Sequence, residues 1–218
     1  MSRRLLPYGE RAVLLACADL LDTQSLYAAL RADPWPEIEE VVAGAESLLL
    51  RLGAPLSNRR RSQLEQLEPP RFDPGASDPL TIPVAYSGED LAAVADLLER
   101  SPDDVIAEHC GQAWTVAFCG FAPGFAYLYG ENERLTVPRR DAPRTRVPAG
   151  AVGLADRWSG VYPRAGPGGW QLIGTTDVAM WDLELDPPAL LQPGATVRFV
   201  PTSSGPTSSG PTSSGTKR

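Results

Sequence analysis

The sequence predicts an α+β chain: a small mixed layer of strands and helices, followed by a barrel or folded-over sheet of short strands. Three observations predict it. Up to Leu67, apolar runs alternate between strand and helix spacing in the order strand, helix, strand, strand, helix. From Trp114 onward, short apolar runs recur between Gly/Pro turns, the spacing of a barrel or a sheet folded on itself. Proline (22) and glycine (20) together make up close to a fifth of the 218 residues, which suits a turn-rich β architecture better than a helical bundle.

Residues 11–18 are apolar enough for a strand. Asp22-Thr23 is expected to cap a helix running to about Arg31, with Leu26, Ala29 and Leu30 on one face, and Asp33-Pro-Trp-Pro36 ends it. Val41-Val42 and Ser47 to Leu52 flank Ala43-Gly44 as a hairpin. Leu56 to Leu67 reads as a helix with Leu64 and Leu67 inward and Arg59-Arg60-Arg61 outward. This order is that of a small split α+β layer, with a further strand expected nearby. Residues 68–79 are rich in turn formers and poor in core residues, so a linker is expected there, dividing residues 1–78 from 79–201.

The second part opens with a strand, Leu80 to Tyr86. Gly88-Glu-Asp90 leads into a helix through Arg100, with Leu91, Val94, Ala95 and Leu98 on one stripe. Ser101-Pro102-Asp103-Asp104 places a hydroxyl at the cap, proline in the first turn and acids behind it, a strong start for a helix reaching about His109 and stopping at Gly111. Short strands are expected at 114–119, 134–137, 146–155, 161–162, 170–175, 179–184 and 196–200. Beyond Val200, Pro-Thr-Ser-Ser-Gly repeats three times, so residues 202–218 are expected to be a disordered tail.

Composition narrows the function classes. A net charge of −7 with no long basic run argues against a nucleic-acid partner. No stretch approaches the ~20 apolar residues of a bilayer span, and the N-terminus lacks signal-peptide flanks, so a cytoplasmic protein is expected. Three cysteines (Cys17, Cys110, Cys119) without CxxC argue against a disulfide framework or a zinc site. The one histidine, His109, rules out a multi-histidine metal site, and no metal site is expected. The one lysine, Lys217, lies in the tail and rules out lysine-dependent chemistry in the folded part.

The residues with most to offer chemically lie in the C-terminal half. A strand from Trp114 to Phe118 runs into Gly120, then Pro123-Gly124, with Phe121, Phe125, Tyr127 and Tyr129 around them. Gly160-Val-Tyr162-Pro163 and Pro167-Gly168-Gly169-Trp170 form a second glycine-rich aromatic stretch. Together they suggest one concave aromatic surface, although the same rings also read as core. His109 ends a capped helix, where the helix terminus favours imidazolium; it reads as a general acid/base or anion contact, or as a capping histidine. Seven arginines between Arg134 and Arg164 (among them Arg144 and Arg157) face only Asp141 and Asp156 in that span. They suit an anionic ligand or an acidic partner, or form a solvated face. Gly166-Pro-Gly-Gly169 precedes a strand and is no dinucleotide fingerprint, but it can present backbone N–H groups.

Gly120-Phe-Ala-Pro-Gly-Phe-Ala-Tyr-Leu128 resembles the GFxPGFAYL signature of the KipI/allophanate hydrolase subunit 1 family, which includes the B subunit of 5-oxoprolinase. Leu6-Pro-Tyr-Gly-Glu10, Arg140-Asp-Ala-Pro-Arg144, Val147-Pro-Ala-Gly150, Gly160-Val-Tyr-Pro163, Pro167-Gly-Gly-Trp170 and Val197-Arg-Phe-Val-Pro201 follow the family's order. The resemblance implies a small ferredoxin-like N-terminal domain and a cyclophilin-like β-barrel domain. It also implies a complex with a KipA-like C subunit and an A subunit that opens 5-oxo-L-proline to L-glutamate with ATP and Mg2+. The chain would then be inactive alone, with the nucleotide bound by the complex rather than certainly by this chain. A stable lactam needs activation, and phosphorylating its carbonyl oxygen supplies a leaving group. The implied site is catalytic His109, with Arg144, Arg157, Gly120, Phe121, Pro123, Gly124, Phe125, Tyr127, Tyr162, Gly168, Gly169 and Trp170 binding substrate or phosphate. The same resemblance admits a KipI-like inhibitor of a sensor histidine kinase, or a carboxyltransferase/allophanate-hydrolase-related component of urea metabolism. Two positions depart from the family: Trp158 stands where relatives commonly carry glutamine, and Gly166 where they often carry serine. Indole cannot accept a hydrogen bond as an amide does.

Overall fold

A computed structural model describes residues 3–76 and 78–202, which contain two large sheets and a two-stranded ribbon. The first sheet comprises β1 (Arg4–Pro7), β2 (Ala12–Ala16), β3 (Ile38–Ala43) and β4 (Ser47–Leu52), in the order β1-β2-β4-β3, all antiparallel neighbours. Helix α1 (Leu20–Ala32) connects β2 to β3, and α2 (Asn58–Gln66) follows β4. This is the ferredoxin-like split arrangement, with the outer position beside β2 filled by β1. The strand expected nearby is therefore N-terminal: Pro7 closes β1, and Gly9 (φ 66°) makes the turn into β2. Val13 and Leu15 of β2 and Leu48, Leu50 and Leu52 of β4 alternate inward onto Leu26, Leu30 and Leu64 of the two helices.

The cap of α1 lies earlier than Asp22-Thr23: the Asp19 carboxylate accepts from the Asp22 amide. Asp22 instead binds Arg3, and Arg3 also reaches the Leu67 carbonyl, tying β1 to the end of α2. The linker expected at 68–79 is not free. The Phe72 amide donates to Ser25 Oγ at 2.9 Å, and Thr196 Oγ1 donates to the Pro74 carbonyl.

The second sheet is a nearly closed barrel. It comprises β5 (Leu80–Val84), β6 (Trp114–Cys119), β7 (Ala126–Gly130), β9 (Ala151–Ala155), β10 (Trp158–Val161), β12 (Gln171–Thr175) and β13 (Thr196–Pro201), in the order β12-β9-β10-β7-β6-β13-β5. Only β5 and β13 pair in parallel. Ala85 and Thr175 exchange backbone hydrogen bonds of 2.8 and 2.9 Å, drawing the two edge strands together. The short strands β8 (Arg144–Val147) and β11 (Gly166–Gly168) pair as a separate ribbon. Helices α3 (Leu91–Leu97) and α4 (Pro102–Cys110) pack on the barrel, and Ser101 and Asp104 form the expected capping box of α4.

Residues 134–137 and 179–184 are not strands; each holds only an isolated bridge, Val137 to Asp156 and Trp181 to Ala189. Residues 146–155 divide into β8 and β9 at Gly150, where φ is 78°. Tyr127 and Tyr129 lie on β7 rather than in a loop. Thr202 remains bound through its amide to the Val84 carbonyl, while the disorder expected of the tail concerns residues 203–218, outside the described residues.

The two sheets share a joint. Gln24 of α1 is buried and donates to the Val116 carbonyl at 2.9 Å, while the Tyr129 hydroxyl donates to its Oε1 at 3.0 Å. A bulge between Val116 and Phe118 turns the Phe118 ring out of the barrel and onto the N-terminal core.

Candidate functional site

Strand alternation gives the barrel wall two different faces. Inside lie Trp114, Val116, Leu128, Val152, Leu154, Val161, Ile173 and Phe199. Outside lies a second cluster: Phe125, Val147, Ala151, Ala155, Tyr162, Trp170 and Leu172, with Tyr127 and Trp158 against it. Its rings meet edge to face. Phe125 lies 5.2 Å from Tyr162, 5.2 Å from Trp170 and 5.1 Å from Tyr127 by ring centroids. Tyr127 stacks on Phe118 at 4.4 Å. Gly160 makes this packing possible, because a Cβ there would sit 3.0 Å from Trp170 and 3.2 Å from Phe125.

The expected aromatic surface is thus mostly a packed wall. Phe125, Tyr162 and Trp170 are buried, and Tyr127 is half-buried. Phe121 is the exception: its ring is 60% exposed, held edge-on by Phe125 at 5.3 Å and Tyr162 at 6.2 Å. Its backbone has φ 67°, and the Ala122 amide donates to the Gly120 carbonyl at 2.7 Å, closing a tight three-residue turn. Pro123 and Gly124 complete the loop, and the Phe125 amide returns to the Ala122 carbonyl.

Arg144 lies at the glycine-rich lip of the wall. Its Nη2 is 2.8 Å from both Asp90 oxygens and 3.2 Å from Glu89, and Nη1 reaches the Trp170 carbonyl at 3.4 Å. Arg140 adds a 2.7 Å contact to Asp90, and its amide donates to the Gly169 carbonyl. The Leu172 amide donates to Asp90 at 2.7 Å. Burial pushes the Asp90 carboxyl up, but Arg144, the Leu172 amide and Arg140 outweigh it and hold the group below its ordinary range. The arginine expected to receive an anionic ligand already has its anion within the chain. Gly168 packs under the Tyr162 hydroxyl, so the lip is joined to the ring cluster.

Arg157 lies at the other end of the wall. Its guanidinium sits 5.0 Å over the Trp158 ring and 3.8 Å from Glu133, beside a cleft of about 590 Å³ lined by Leu20, Leu21, Arg71, Phe72 and Tyr129. The rings of Trp158, Tyr127 and Trp170 connect it to Arg144.

His109 does not join this face. Ser159 and Trp158 are neighbours on β10 and point to opposite sides of the sheet, and His109 bonds the inward one, with Nε2 2.9 Å from Ser159 Oγ. Its Nδ1 is 2.6 Å from the Tyr86 hydroxyl, and Phe199 stacks on the ring at 4.4 Å. The imidazole is 0% exposed, and burial pushes its pKa down to about 3, opposite to the shift expected at a helix C-terminus. Desolvation outweighs the helix dipole here, so the ring is neutral and out of contact with solvent. In this chain His109 is thus a core hydrogen-bonding residue, set apart from the aromatic wall.

Asp90 and Ser159 were not expected from the sequence. Asp90 lies in the stretch expected to lead into a helix, and it occupies the N-cap of α3, but its side chain makes no capping bond and serves the arginines instead. A buried acid recruited from 54 positions away leaves no local pattern.

Comparison with known proteins agrees with this architecture. The model of the family described as carboxyltransferase domain, subdomain C and D, matches residues 3–191. The chain is 41% identical to the 5-oxoprolinase B subunit of Escherichia coli O157:H7, over 78% of this chain and 81% of that protein. It is 37% identical to the 5-oxoprolinase B subunit of Haemophilus influenzae, over 90% and 96% respectively. The solved structure of TTHA0988 superposes with a TM-score of 0.74 at 36% identity, over 90% of this chain and 41% of that one, so this chain spans about two fifths of that protein. The Kluyveromyces lactis urea amidolyase shares the fold with a TM-score of 0.70 at 20% identity, over 92% of this chain and 15% of that one. The ordered signature, the nearly closed barrel and these matches lead to one conclusion: the chain belongs to the 5-oxoprolinase B-subunit family of carboxyltransferase-domain proteins.

Proposed function

We propose that this chain is the B subunit of an ATP-dependent 5-oxoprolinase, opening 5-oxo-L-proline to L-glutamate together with a KipA-like C subunit and an A subunit. The observation that carries this reading is its similarity, over 81% and 96% of their lengths, to two proteins named as B subunits of 5-oxoprolinase. The geometry supports a chain that is inactive alone. Its histidine is sealed in the core, and Arg144 is neutralised by Asp90 and Glu89.

Two features bear on where Mg-ATP would sit. Among the described residues no three His, Cys, Asp or Glu side chains converge as a metal site. The Gly166–Gly169 turn leads into β12, not into a helix whose N-terminus could receive phosphates. ATP with Mg2+ bound by the complex, rather than certainly by this chain, is part of the proposal. This chain contributes a rigid aromatic wall and the loop that carries Phe121.

The test is ADP release by the co-expressed subunits with and without 5-oxoproline. Stimulation by the lactam is expected, and its absence ends the reading. The family model's own description favours one alternative, carboxyl transfer. A biotin-dependent carboxylation by the complex that leaves the lactam untouched would select it.

A further inference from the structure

We propose that the exposed apolar ridge formed by Phe121 and the 181–185 loop is the docking surface for the partner subunit, received in an apolar groove with a basic rim. The inference rests on the reading above and deepens it by assigning the surface.

Two loops build the ridge. Gly124 (φ 82°) lets the signature loop lie against the 180–181 backbone, where a Cβ would come within 2.9 Å of the Met180 carbonyl oxygen and of Trp181 Cβ. Phe121 stands on one side of this contact, and Trp181, Leu183 and Leu185 follow on the other. Leu183 is 80% exposed, and it shares a loop with two more exposed large apolar residues. Scattered surface leucines need no explanation, but several large apolar side chains exposed on two loops that touch at Gly124 mark a candidate interaction site.

The backbone points the same way. A phenylalanine at φ 67° is in a region costly for residues with a Cβ. The strain supports no buried packing of its own, since the ring projects into solvent. Phe125 and Tyr162 nevertheless hold that ring edge-on, so it is ordered before binding and loses little freedom on docking.

Charge selects the occupant. Asp182, Glu184 and Asp186 alternate with the apolar residues, within a chain of net charge −7. A second copy would set acid against acid, whereas a groove edged with arginine or lysine would be complementary. In TTHA0988 this fold is carried on a longer chain, so in that protein additional polypeptide is joined to it.

The experiment is calorimetric titration of the full chain with the purified KipA-like C subunit from the same genome, accompanied by sedimentation of each protein alone. The variants are Phe121→Ser and the double variant Leu183→Glu/Leu185→Glu, with Leu97→Glu on α3 as an exposed apolar control, and each is checked for an unchanged melting temperature. Loss of about tenfold or more in affinity for the first two, with the control within about twofold, is the expected result. Equal affinity for all variants would overturn the assignment while leaving the proposed function intact. Self-association of the chain that the double variant abolishes would overturn it in favour of a second copy. If the wild-type chain is monomeric and does not bind the KipA-like protein, the assignment also falls, and lactam-stimulated ADP release then decides separately whether the proposed function survives.

Discussion

Arg144 places one guanidinium nitrogen 2.8 Å from both oxygens of Asp90, joining the β8–β11 ribbon to the start of α3 across the edge of the barrel. The Asp90 side chain is only 5% exposed, so removing it strands a buried charge and frees the Leu172 amide. Asp90→Ala is expected to cost roughly 3–5 kcal/mol in denaturant unfolding. Glu89→Ala removes a 75% exposed partner of the same arginine and should cost less than about 1 kcal/mol. Because the Asp90 carboxyl is held below its ordinary range, its stabilisation is present above the unfolded value and is lost as pH falls through the folded one. Equal costs for the two substitutions would refute the ranking.

His109 gives a titration that needs no assignment, since it is the only histidine. With its pKa lowered from 6.5 to about 3 in the fold, the unfolded chain takes up a proton that the folded chain refuses. Its contribution to stability is full above about 6.5 and falls away between there and about 3. The imidazole proton resonances should stay flat from pH 8 to about 5 while the melting temperature declines below about 6.5. A ring that titrates near neutrality in the folded protein would contradict its burial.

Gly160→Val drives a branched side chain into Trp170, Phe125 and the Ala126 carbonyl, the last only 2.9 Å from where a Cβ would sit. Overpacking of this kind costs about 1–3 kcal/mol. Near-ultraviolet circular dichroism of the aromatic wall should weaken in parallel with the loss in melting temperature.

The joint between the two sheets depends on Gln24, whose amide bonds the Val116 carbonyl and receives the Tyr129 hydroxyl. Gln24→Leu and Tyr129→Phe should each destabilise by roughly 1–3 kcal/mol: the first removes the bonds to Val116 and Tyr129, and the second leaves the buried Gln24 Oε1 unmet. A double-mutant cycle should return a coupling of about 0.5 kcal/mol or more. Strict additivity would show that the contact does not join the layers.

Phe121→Gly relieves the positive φ while removing the exposed ring. The isolated chain should keep its stability within about 1 kcal/mol, strain relief offsetting the lost edge contacts. A large loss would show that the ring holds the wall together rather than projecting from it.

The periodic parts of this protein are legible in the chain alone. Leu48, Leu50 and Leu52 specify a strand face, and Ser101-Pro-Asp-Asp104 specifies a helix start, because these signals are local and act within a few bonds of the backbone. The ordered signature motifs likewise identify the family. Which side of the barrel wall each residue faces is settled instead by long-range packing. His109 and Trp170 both read as site residues along the chain, yet α4 carries the first onto the inward-facing Ser159 while the second packs into the outer ring cluster. The same holds for Arg144, whose neutralisation by Asp90 depends on two segments 54 positions apart meeting at the barrel edge. Charge pairing and burial arise from contacts distant in sequence, and no local pattern encodes them.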